Sequence, residues 1–200
     1  MYSEDTYQAT LDLAQKKLRS LDEDRLSRNK GVAIDDSTVR LVYFRRSYRI
    51  GIADGAFSPG DLPTYERILL LHYLTTQNDF AAHGEVIQFK NLPGVSFYEP
   101  TYRKRSTDRL VRTFGGDPDS LVRAGEVLGG TGAGMGDASV RIPVFPKIAA
   151  TVVIHAADEE FPAEATILYD DTVGIHLPTE DVAVLGGVLA TQLKIAASTE

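Results

Sequence analysis

The chain has 200 residues, 43% hydrophobic and 24% charged, with a net charge of −7 and no cysteine. That composition fits an ordinary soluble globular fold with one core. It excludes disulfides, thiolate metal sites, iron–sulfur ligation and a cysteine nucleophile within the chain. It also argues against nucleic acid as a partner, and no apolar run reaches the roughly 18 residues of a membrane span. The start, MYSEDTYQATLDL, is acidic and amphipathic, unlike a secretory signal, so a cytoplasmic location is the expectation.

Residues 4–21 read as an amphipathic helix whose stripe is Leu11, Ala14, Leu18 and Leu21, with Leu13 to the side. The charged, breaker-rich stretch 25–36 reads as a linker. The expected organisation is therefore a helical arm and linker over 1–34 and a single domain over 35–200. The arm would dock on its own body or on a second copy, as in a homodimer. Residues 38–44 and 48–53 alternate as strands of a hairpin. Pro63-Thr64 opens the helix ERILLLHYLTTQ, and residues 84–89 form a further strand ending in the turn at 91–94. Pro100 starts a helix expected to run to Phe114, where Gly115-Gly116 stops it. Asp117-Pro118 opens the next, which ends at Gly129-Gly130.

Residues 139–144 lead into the block that organises the rest. Residues 148–154 are almost continuously apolar and β-branched, as in a strand buried on both faces. Residues 165–169 make its neighbour, and 173–175 a third short strand. Thr179 is the expected N-cap of an apolar helix over 182–195, with Glu180 and Asp181 favoured by the helix dipole. Leu62-Pro63-Thr64 and Leu177-Pro178-Thr179 each follow a strand pair and open a helix. This echo marks two duplicated ββα halves, unless Pro-Thr is simply a common helix opening. The fold class is α+β, with a mostly antiparallel sheet and helices packed on it.

Charge is unevenly spread. No Lys or Arg lies between Lys147 and Lys194, while eight carboxylates fall between Asp158 and Asp181. Cations gather at Arg40, Arg45, Arg46 and Arg49, and at Arg103, Lys104, Arg105, Arg109 and Arg112. These segments either face solvent and pair across the fold or form acidic and basic poles. The expectation drawn is that residues 103–112 meet residues 158–181.

Chemical motifs are sparse. The glycine run 129–136 follows a helix and precedes a strand, and it lacks Gly-Lys-Ser/Thr, so it reads as a connector. The histidines are His72, His83, His155 and His176. If their strands are neighbours, His155 and His176 with Asp158 could hold a metal. Asp170 and Asp171 point to opposite faces of a strand and form no dyad, and Ser106 and Ser139 lack a nucleophile-elbow context.

Several blocks resemble the bacterial and archaeal family catalogued as domain of unknown function 3786. They are residues 68–74, 84–94, 114–115, 128–130, 136–137, 144–146 and 177–181, together with Asp158-Glu159-Glu160-Phe161-Pro162-Ala163-Glu164. The resemblance spans roughly residues 38–195. It implies no settled activity, and it implies relatives joined to iron–sulfur domains of corrinoid methyl-transfer systems. The chain departs from the family pattern at His155-Ala156-Ala157, where an aromatic such as Trp often precedes the acidic turn.

The functional expectation is an accessory module that binds a partner protein or a bulky cofactor. Its surface candidates are Tyr98, Tyr102, Arg103, Arg105, Asp137, Asp158, Glu159 and Phe161. Glu159 and Phe161 could equally serve the turn itself, with Phe161 folded onto the sheet. The alternative is a metal-dependent enzyme built on His155, His176 and Asp158.

Overall fold

The structure is a computed structural model that describes residues 4–78, 84–95 and 98–198, with side chains from residue 7 onward. Its opening helix, α1 (Glu4–Arg19), buries Leu11, Ala14 and Leu18 and leaves Leu13 in solvent, as the stripe predicts. The expected linker instead folds as α2 (Glu23–Lys30). Asp22 caps it by accepting from the Arg25 N–H at 2.8 Å, and Gly31 ends it at φ 66°, where a side chain would be strained. Leu26 fixes the inward face, so a segment that is polar by composition still has one apolar anchor.

Strands β1 (Ala33–Asp35), β2 (Thr38–Tyr43), β3 (Arg46–Gly51) and β4 (Phe57–Ser58) form a four-stranded antiparallel sheet in that order. The expected strand over 38–44 stops one residue early, because Phe44 and Arg45 are the hairpin turn, both at positive φ. Neither is a residue that prefers that conformation. Tertiary contacts hold it: the Phe44 N–H donates to Val144 O at 3.2 Å, and Arg45 Nη1 donates to Glu126 O at 3.3 Å.

After α3 (Thr64–Thr75), a second sheet assembles in the order β5-β9-β8-β7-β6. Its strands are β5 (Val86–Gln88), β6 (Thr131–Gly132), β7 (Ala138–Phe145), β8 (Ile148–His155) and β9 (Glu164–Asp170), all antiparallel. Central β8 is buried at every position but its last, as its β-branched run predicts. The two sheets meet where the hairpin tip touches β7. There Tyr73 stacks on Phe145 at 4.3 Å and Tyr43 lies 4.9 Å from the same ring.

Three expectations change in the helices. Residues 173–175 are not a strand but part of a helical turn, α7 (Val173–His176), closed by the Leu177 N–H on Val173 O. The Thr179 hydroxyl does not cap α8 (Thr179–Ala197); it donates to Pro93 O at 3.0 Å. The helix expected over 100–114 breaks at buried Ser106 into α4 (Glu99–Arg105) and α5 (Thr107–Phe114). Helix α6 (Asp119–Val127) packs on β7. The suggested duplication gains no support from the pairing, since the first strand pair belongs to one sheet and the second to the other.

The break at Ser106 lets α4 lie close on α8. A Cβ at Gly186 would overlap the Tyr102 ring and stand 3.1 Å from the Tyr169 hydroxyl, whereas one at Gly187 would meet Arg105 Cβ at 3.5 Å, an ordinary contact. Tyr102 cannot yield, because it is buried, stacked on Phe89 at 4.1 Å and hydrogen-bonded to Tyr169. Gly186→Ala should therefore cost about 1–3 kcal/mol through overpacking. Gly187→Ala should be neutral or gain up to about 1 kcal/mol from helix propensity. Urea unfolding of the two variants checks this, and equal effects would refute the packing argument.

Candidate functional site

Helices α1, α3, α4, α5 and α8 enclose a half-open cleft of about 770 Å³. On α3 the spacing of Tyr65, Ile68 and His72 (i, i+3, i+7) aims one face into it. On α8, Asp181, Val184, Val188 and Thr191 do the same. Arg105 and Arg109 reach it from either side of the Ser106 break, and Tyr7 from α1.

His72 Nδ1 lies 2.6 Å from Asp181 Oδ2. With a carboxylate as acceptor, Nδ1 carries the proton, and Nε2 is the ring's second nitrogen. Burial raises the Asp181 pKa, while the His72 hydrogen bond works against that rise. Glu180 accepts from the Tyr98 hydroxyl at 3.2 Å. Arg109 Nη1 donates to the neutral Thr191 hydroxyl at 2.7 Å. Among the described residues, neither Arg105 nor Arg109 forms an ion pair with a carboxylate.

A sequence profile for a domain of unknown function (DUF3786) matches residues 22–192. The chain belongs to this family. No curated protein and no solved structure matches it. Among the described residues of this DUF3786 member, no helix is long and apolar enough to cross a membrane.

The eight surface candidates scatter. Arg105 lines the cleft, and Tyr98 borders it through Glu180. Tyr102 is core, and Arg103 lines a smaller cleft of about 450 Å³ with Glu99, Asp108 and Glu164. Asp137, Asp158, Glu159 and Phe161 sit at the end of β8 that carries His155. There Asp137 Oδ2 accepts from the Ala156 N–H, and Asp158 Oδ1 accepts from the Glu160 and Phe161 N–H groups. Those two backbone bonds hold the Asp158 carboxyl below its ordinary pKa. Phe161 is not folded onto the sheet: it is 66% exposed, because its backbone closes the turn and its ring is left outside.

The metal alternative loses its geometry. His155 ends β8, whereas His176 follows β9, which runs back to the other end of β8. The two rings are thus separated by about 20 Å of strand. Among the described residues, no group of three or more His, Asp or Glu could hold a metal ion; His83 lies outside the described residues.

His176 belongs to a different, buried arrangement. The Lys30 ammonium donates to Thr76 O and to His176 Nδ1, the latter at 3.1 Å, and Tyr73 donates its hydroxyl proton to Lys30 O. Burial, and secondarily Lys17, lowers the Lys30 pKa to about 8. Burial, then the Lys30 and Lys147 charges, lowers that of His176 to about 4. The pair ties α2 to α7 and lies outside the cleft lining.

The expected meeting of basic and acidic segments occurs at both clefts, without ion pairs. Arg105 and Arg109 share the larger cleft with Glu180 and Asp181, Arg103 shares the smaller one with Glu164, and among the described residues no ion pair joins residues 103–112 to residues 158–181. Sequence reasoning missed the His72–Asp181 pair. Its one signal was a lone histidine within the apolar run 68–74, and nothing linked it to a carboxylate 109 positions later.

Proposed function

We propose that this chain is a non-catalytic accessory module that binds a compact small molecule in the cleft between α3 and α8. The observation that carries the reading is an apolar floor of Ile68, Val184 and Val188 with His72, Arg105 and Arg109 converging on it. Concave, mostly apolar sites with a few converging polar groups are the usual form of small-ligand pockets, and 770 Å³ lies within their range. That volume favours a compact ligand over a bulky macrocyclic cofactor. A cytoplasmic setting belongs to the same proposal.

Filling the cleft tests it. Val184 is partly buried on the cleft wall, so Val184→Trp should occupy the space without disturbing the core. Whatever copurifies with or thermally stabilises the natural chain should be lost from the variant, with the unliganded melting temperature nearly unchanged. Ligand retention by Val184→Trp would refute the cleft. A second reading, docking of a partner protein, rests on the 66% exposure of Phe161 beside Asp158 and Glu159. Partner capture that survives Val184→Trp and disappears in Phe161→Ser would favour it.

A further inference from the structure

We infer that the ligand of this cleft is a small organic dianion with an apolar body, a dicarboxylate or a phosphomonoester, held by Arg105, Arg109 and His72. The inference rests on the binding reading above and deepens it.

The argument starts from the way charge is distributed around the space. Two guanidinium groups line the cleft, Arg105 exposed and Arg109 half-buried, in a protein whose net charge is −7. A half-buried cation such as Arg109 is expected to find a carboxylate. Two are within the same lining, yet both are turned to other partners: Asp181 to His72 at 2.6 Å and Glu180 to Tyr98 at 3.2 Å. Arg109 spends one donor on Thr191, and its remaining N–H groups have no carboxylate among the described residues. An incoming anion supplies what the protein withholds, and the planar guanidinium fork suits carboxylate or phosphate oxygens.

Two guanidinium groups match the two negative charges. His72, its ring fixed by Asp181 at 2.6 Å, lines the same cleft and offers its second nitrogen as a further polar contact. The floor of Ile68, Val184 and Val188 accepts the apolar body.

Calorimetry with four probes of one shape decides the point: benzamide, benzoate, phthalate and phenyl phosphate. Phthalate and phenyl phosphate represent the two dianion sources and should each bind at least about tenfold tighter than benzoate, with benzamide weakest. Arg109→Gln and Arg105→Gln should each weaken the dianions about tenfold and leave benzamide unchanged. His72→Asn should also weaken the dianions and leave benzamide unchanged, while circular dichroism shows all three variants folded. Equal affinity for benzoate and the dianions, or no dianion binding at millimolar concentration, overturns the inference. If benzamide still binds and Val184→Trp abolishes it, the cleft reading survives alone. If no probe binds, and Val184→Trp keeps whatever copurifies, both readings fall.

Discussion

Shortened to residues 35–200, the chain should lose at least about 6 kcal/mol of stability and with it a cooperative urea transition. Leu11, Leu18, Leu26 and Val32 are buried within the same core as α3 and the second sheet. Each such side chain contributes roughly 1.5–3 kcal/mol on burial, and a whole domain holds only about 5–15 kcal/mol in reserve. Truncation also removes Lys30, so the Tyr73 hydroxyl loses its acceptor and Thr76 O its ammonium donor. Adding a peptide of residues 1–34 should restore the transition. A fragment that unfolds cooperatively within about 2 kcal/mol of the full chain would instead establish those residues as the separable arm the composition suggests.

Acid should weaken the protein through His176. In the unfolded chain that imidazole titrates near 6.5, whereas in the fold burial and then the Lys30 and Lys147 charges lower its pKa to about 4. As pH falls from 6.5 to 4, the unfolded chain binds a proton that the folded chain refuses, so folding stability drops. The stability is intact above the unfolded value and is lost by about 3 kcal/mol across the window. Carboxylates titrate there as well, so the measurement is a difference: urea midpoints for the natural chain and for His176→Gln across that range. The variant should show a slope smaller by about that amount, and parallel slopes would sink the argument. Lys30 acts in the same sense at higher pH. Its pKa falls from 10.5 to about 8, so stability relative to Lys30→Met should rise as pH climbs through that interval.

What could be read from the residues was what local chemistry dictates. The β-branched run of β8 announces itself because both of its faces are buried, and α3 and α8 do so through the apolar runs 68–71 and 182–190 that face the core. The stripe of α1 was legible for the same reason. Features decided by distant contacts were not legible. The turn at Phe44-Arg45 has no turn residue and is held by Val144 and Glu126. Helix α2 hangs on Leu26, the Asp22 cap and the buried Lys30, and the seat of Tyr102 depends on Gly186, 84 positions away on α8. Of the candidate site, Arg105 stands among the surface residues the sequence points to, and Arg109 only within a basic segment. His72 and Asp181 are visible singly, one within the apolar run 68–74 and the other at the opening of the last helix. No residue-level pattern joins them, because the helix packing that makes them neighbours is tertiary.

The Lys30–His176 contact, which spans 146 positions, also has a bearing on synthesis. A ribosome must release every residue from Lys30 to His176 before the lysine can meet its imidazole, and the single core draws on both Leu11 and Ala196. Until then α1 emerges with an apolar stripe, and α2 with Leu26, that only part of their final surroundings can cover. Such long-range closure makes folding slow and leaves the nascent chain open to self-association. This protein should therefore depend on chaperones during translation more than a chain of its length with locally closed helices.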